Sequence, residues 1–175
     1  MTKPLAVRSS GLFEDSLNQP FAGVYSTYLL PNNHPDIERR LEDVENAIKL
    51  VFASIYSPES RAYFNAIDYM IEEEKMAVII QEVIGNEHNG RYYPEISGVA
   101  QSYNFYPFSY IQPEDGFAVT AIGLGAYVVG EKTHRFSPAY PKLQLASTQD
   151  KIKASQRYFY GVNMLAQDYD LYRDG

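Results

Sequence analysis

Between Asp36 and Tyr56 the apolar residues Leu41, Val44, Ala47, Ile48, Val51, Phe52 and Ile55 recur at three- and four-residue steps. That is the spacing of one face of a helix. Glu38, Glu42, Asp43 and Glu45 fill the polar side. Pro35 and Asp36 stand where a first-turn proline or an N-cap belongs, and Ser57-Pro58 ends the pattern. A helix with one apolar stripe must lay it on another element. Suitable strands flank it. Leu5-Ala6-Val7 reads as a short strand, and the branched run MAVIIQEVI from Met76 to Ile84 reads as a buried one.

The remaining pattern alternates less regularly. Phe21 to Leu30 reads as an extended or helical entry, and Ser60 to Ile71 as a second helix. Gly85 to Pro94 is expected to form an exposed hairpin-like loop. Ile96 to Tyr103 reads as a strand paired with the one before it. Asn104 to Glu114, aromatic and proline-bearing, suits a long ordered loop. Gly116 to Ile122 and Lys132 to Ser137 are further strands, separated by the Gly123-Leu124-Gly125 turn and a short helix from Ala126. Asp150 to Ala166 has some helical spacing. The predicted class is α+β: an antiparallel sheet packed by helices. The acidic run Glu72-Glu73-Glu74 reads as a solvated face.

Charge and composition narrow the function. With 175 residues, a net charge of −7 and a pI near 4.9, the chain lacks the positive field of nonspecific nucleic-acid binders. It has no cysteine, which removes disulfides and thiolate metal sites. No apolar run reaches the roughly 20 residues of a membrane span. The first ten residues carry no signal-peptide core, so the expected location is the cytoplasm. Sixteen tyrosines and no tryptophan point to half-buried packing surface. His34, His88 and His134 are scattered in loops or strand ends and are given no catalytic role.

The stretch Ala6 to Tyr28 carries the chemistry. A strand delivers Arg8, followed by Ser9 and Ser10, the acidic pair Glu14-Asp15, and the turn Phe21-Ala22-Gly23. A fixed cation beside exposed backbone N–H groups is what phosphates need.

This stretch resembles the ATP-binding domain shared by pyruvate phosphate dikinase and phosphoenolpyruvate synthase. Ala6-Val7-Arg8-Ser9-Ser10, Glu14-Asp15, Phe21-Ala22-Gly23 and Thr27 stand at that family's spacing without a gap. Ser97-Gly98-Val99-Ala100 and Gly123-Leu124-Gly125 follow in the family's order. Gln101 and the Tyr103 to Pro107 segment depart from it. The resemblance covers about Pro4 to Pro141 and implies part of an ATP-grasp domain over 4–141, with 142–175 as a C-terminal extension. It implies that Arg8 contacts the nucleotide's phosphates and is catalytic. Gly23 would belong to a loop folding over them, with Ala22 and Thr27 as further loop candidates. Gln81, Glu82 and Ile84 would meet the adenine edge, Glu82 alternatively facing the ribose. The wording of the sequence is closer to a phosphoenolpyruvate-synthase-like branch.

The implied enzyme passes phosphoryl from ATP through a phosphohistidine to pyruvate, with ATP and Mg2+ as cofactors. The chain is expected to be a fragment of such an enzyme. Its metal ligands, phosphohistidine and phosphoenolpyruvate barrel would lie outside it. Alone it is expected to be inactive and to bind ATP weakly or not at all. Two other functions stay open on the same residues. One is the ATP-binding domain of a dikinase-type phosphotransferase acting on glucans or antibiotics. The other is a noncatalytic module presenting the aromatic Tyr103 to Tyr110 surface to a partner or sugar.

Overall fold

The computed structural model of the chain describes residues 2–12, 14, 24–67, 70–125, 134–143, 147–166 and 169–171. Along the chain run β1 (Leu5–Gly11), β2 (Thr27–Leu30), α1 (Ile37–Ala53), α2 (Pro58–Ala66), β3 (Met76–Glu82), β4 (Asn86–His88) and β5 (Arg91–Tyr93). Then follow β6 (Ile96–Gln101), β7 (Phe117–Ile122), β8 (His134–Phe136), α3 (Thr148–Ala154) and β9 (Val162–Asn163). Short 3-10 turns cover Ser54–Tyr56, Ile71–Glu73 and Pro113–Asp115. The class is α+β, as predicted. The chain forms two compact units, Met1–Tyr92 with Val162–Gly175, and Tyr93–Gly161.

In the first unit β1 lies between β2 and β3, antiparallel to both. The helix predicted from Asp36 forms. The Asp36 side chain accepts the Glu38 N–H at 3.0 Å, relieving one orphan donor of the first turn. Part of the apolar stripe of α1 lies on the sheet: Val7, Leu30, Ala47, Val51 and Leu171 form a buried cluster, flanked by Leu5, Val44 and Ile48, while Leu41 and Phe52 of the expected stripe are exposed. Each fully buried Val or Leu contributes roughly 1.5–3 kcal/mol. A second cluster joins Tyr25 and Phe64, with Ile55, Tyr63 and Ile67 against them. Here Ser57 both ends one helical run and caps the next, accepting the Ser60 N–H at 3.1 Å.

Two sequence expectations need correction. The apolar run Met76 to Ile84 is not a fully buried strand. Among the described residues β3 is the outer strand of its sheet, with a neighbour on one side, and Ile80 and Ile84 are 47% and 76% exposed. Nor does β6 pair with β3. It pairs with β7 over its whole length, Ile96 opposite Ile122 through Gln101 opposite Phe117. The chain leaving β3 turns first into a hairpin. Asn89 and Gly90 take positive φ of 51° and 76°, the geometry of a two-residue turn whose twist suits strands β4 and β5.

The second unit is built on the sheet β6-β7-β8. Gly98 is obligatory there. A Cβ at this position would stand 2.4 Å from the Val119 carbonyl oxygen. Gly123 is a packing turn at φ 78°, its N–H on the Glu95 carbonyl and its own carbonyl accepting the Ser97 hydroxyl at 2.8 Å.

Candidate functional site

Side chains alternate along a strand, so β1 sorts its residues by parity. Val7 faces α1 and is fully buried; Arg8 faces the other way and is exposed. The ladder carries that parity to the neighbours. Thr27 on β2 and Ile79 on β3 stand opposite Arg8, and Gln81 opposite Ala6. Arg8, Thr27 and Gln81 therefore share the face turned from α1, and all three are exposed. Arg8 Nε donates to Gln81 Oε1 at 3.1 Å. Among the described residues this is the hydrogen bond Arg8 makes, so the outer N–H groups of its guanidinium remain open.

Glu82 has the opposite parity. Its carboxylate takes Lys3 Nζ at 2.7 Å, and this bond and charge hold the Lys3 ammonium above the usual lysine range. The main chain of β3 is the more telling feature. The Val83 N–H donates to the Pro4 carbonyl at 2.9 Å, marking Pro4 and Val83 as a hydrogen-bonded pair. Bonded and non-bonded pairs alternate along an antiparallel ladder. Ala6 with Gln81 is then the next bonded pair, and the N–H and C=O of Glu82 turn to the outer edge. Ile84 occupies the next outward position. No described strand covers that edge. Pro4 has no N–H to offer back, and the Tyr92 hydroxyl donates to the Val83 carbonyl instead, at 3.1 Å.

The chain leaving β1 is held by two carboxylates that sequence reasoning did not single out for this task. Glu14 accepts the buried Ser9 hydroxyl at 2.8 Å and the Gly11 N–H at 2.7 Å. Glu74 accepts the Leu12 N–H at 2.9 Å. It belongs to the acidic run read as a solvated face, yet it is half-buried, and burial raises its carboxyl pKa. The nearby Glu14 charge adds to the rise. Gly11 leaves no room for a side chain here: a Cβ would meet Glu74 Oε1 at 2.6 Å and Tyr25 at 2.9 Å.

Ala22 and Gly23, expected to fold over the phosphates, lie outside the described residues, as does Asp15. Among the described residues no three His, Asp or Glu side chains come together as a metal would require. No helix in them is long and apolar enough to cross a membrane.

A strand-borne arginine on the sheet face turned from α1, beside a strand edge that no described strand covers, is the setting in which the comparisons fall. The family profile of the pyruvate phosphate dikinase AMP/ATP-binding domain matches residues 1–167, and the chain belongs to this family. Among individual proteins it is similar to the phosphoenolpyruvate synthase of Aeropyrum pernix, 28% identical over 129 residues. That alignment covers 73% of this chain and 13% of the relative's length.

Proposed function

We propose that this chain is the ATP-binding part of a phosphoenolpyruvate-synthase-like enzyme, built as a portion of an ATP-grasp domain over 4–141 with 142–175 as an extension. ATP's phosphates lie on the open face of the β2-β1-β3 sheet against Arg8. Thr27 stands beside it in the ladder, and Ala22 and Gly23 belong to the loop that covers the phosphates. The adenine edge pairs with the outer edge of β3. There the Glu82 carbonyl accepts and the Ile84 N–H donates, two residues apart and turned the same way. Glu82's side chain, engaged by Lys3, is not needed for this.

Gln81 takes a different part in this reading. Its main chain belongs to the ladder with β1 and its side chain to Arg8. Its side chain positions the guanidinium. A cation already oriented loses little freedom when a phosphate arrives.

Phosphoryl transfer is mostly positioning and charge neutralisation. Arg8 supplies charge at the phosphates. In the whole enzyme the phosphoryl group passes from ATP to a histidine and then to pyruvate, water taking the remaining group. Mg2+ would neutralise phosphate charge when bound, but the described residues offer it no ligand set. A metabolic enzyme of this kind works in the cytoplasm.

The observation carrying this reading is the exposed Arg8 guanidinium, tethered among the described residues by one bond to Gln81, on the face of the β2-β1-β3 sheet turned from α1. The test is ATP binding by Arg8→Gln. Loss of one charge-assisted phosphate contact lowers affinity by about tenfold or more. The fold is expected to persist, since Arg8 is exposed. Unchanged affinity removes Arg8 from the site.

A further inference from the structure

A cavity of about 40 Å³ opens in the second unit, between strand β8 and the aromatic loop joining β6 to β7. Neither the family match nor the nucleotide reading gives this loop a task. One charged side chain, Arg135, lines the cavity among the described residues, together with Asn104, Tyr106, Phe108, Phe117 and Ser137.

Arg135 is held on two sides. Its guanidinium carbon sits 4.2 Å from the centre of the Phe117 ring, and Nη2 donates to Asn104 Oδ1 at 3.2 Å. Asn104 is itself locked: it is 4% exposed, its N–H reaches the Pro113 carbonyl at 2.7 Å, and its Oδ1 also accepts the Tyr106 N–H. A clamp of this kind uses one N–H donor and one face of the guanidinium. The other donors stay open, and among the described residues no carboxylate lies within ion-pair distance of Arg135. On a chain of net charge −7, an exposed arginine clamped at the rim of an aromatic-walled cavity, with no described carboxylate beside it, is a local site for an anion.

The lining also limits which anion. The fork of a guanidinium takes two oxygens of a carboxylate or of a phosphate alike; with one cation in the described lining, a singly charged anion is the one it balances. Two oxygens in a plane match the fork of a guanidinium. Tyr106 and Phe108, 83% and 63% exposed, offer ring faces to whatever carries the anion. We infer that this cavity binds a monocarboxylate, with its oxygens on the open edge of Arg135 and an aromatic or apolar body against Tyr106 and Phe108.

Benzoate is the probe, titrated into this chain and followed through the amide signals of Asn104, Phe117, Arg135 and Ser137. Saturable shifts at these residues are expected, with none from neutral benzamide and a weaker response to inorganic phosphate. Arg135→Gln should weaken benzoate by about tenfold or more. Arg135→Lys keeps the charge but loses the fork and the stacked plane, and should also bind less tightly than the parent. Phe108→Ala leaves the Asn104–Arg135 clamp in place and should weaken benzoate more than acetate. The proposal fails if benzamide shifts the same signals as strongly, if phosphate binds more tightly, or if no saturation occurs. It also fails if Phe108→Ala, with its β6–β7 signals intact, binds benzoate as the parent does. Arg135 would then be only a clamp on the loop.

Discussion

Arg8 and Gln81 stand 73 residues apart in sequence and share a 3.1 Å hydrogen bond across the β1–β3 ladder. The bond runs diagonally, from Arg8 to the residue opposite Ala6, and holds the guanidinium over the face of the sheet turned from α1. Two substitutions separate geometry from charge. Gln81→Met keeps the shape and removes the acceptor; ATP affinity is expected to fall about threefold to tenfold. Gln81→Glu keeps an acceptor but neutralises Arg8, and the loss should be larger. Both variants should stay within about 0.5 kcal/mol of the parent in urea unfolding, because the pair is exposed. If Arg8→Gln weakens ATP and neither Gln81 variant does, the positioning role falls while the phosphate role stands.

The base and the phosphates can be uncoupled at Ile84. Ile84→Pro removes one N–H from the outer edge of β3 and leaves the Arg8 face untouched. Adenosine binding should be lost, whereas inorganic tripolyphosphate should bind as before. Equal loss of both ligands would mean that the substitution distorts the strand, and retained adenosine binding would mean the base lies elsewhere.

Glu74 gives the stability a dependence on pH. Its carboxyl is held above its ordinary 4.5, chiefly by burial and further by the charge of Glu14, while the Leu12 N–H opposes the rise. The folded chain therefore binds this proton more tightly than the unfolded chain does. The group's contribution to stability grows as pH falls through the raised value, and levels off below 4.5. Glu74→Gln keeps an oxygen for the Leu12 N–H and removes the charge. At pH 7 it should be at least as stable as the parent, and its advantage should shrink on acidification. A variant clearly less stable at pH 7 would contradict this.

The packing of α1 on the sheet is tested at Leu30, 1% exposed in the first core. Leu30→Ala deletes three buried carbons and leaves a cavity, at a cost of about 2–5 kcal/mol. Thermal unfolding followed by circular dichroism would read the loss. A change below about 1 kcal/mol would mean that α1 does not depend on this contact.

The sequence made α1 legible because its information is local: a stripe of apolar residues, Asp36 before it and Ser57-Pro58 after it. The same holds for the Asn89-Gly90 turn, anticipated as a hairpin-like loop. Pairing is not local. Nothing in MAVIIQEVI says that β3 is an outer strand, since branched residues fit both a covered strand and an edge. Nor could β6 be assigned to β7 before the intervening hairpin was known. Family spacing singled out Arg8, Thr27 and Gln81, but only the strand register reveals that they share a face. Glu74 left no signal, because an acid in an acidic run looks solvated until its neighbours are placed. The motif sets Gln81 at the adenine edge but carries no sign of its side-chain bond to Arg8, which follows from strand parity.

The most direct test is a titration of ATP, to about millimolar concentration, into the isotopically labelled chain. The account predicts saturable shifts at the Arg8 Nε–H and at the amides of Thr27 and Ile84, all abolished in Arg8→Gln. Shifts confined to other residues, or unaltered by that substitution, would contradict it.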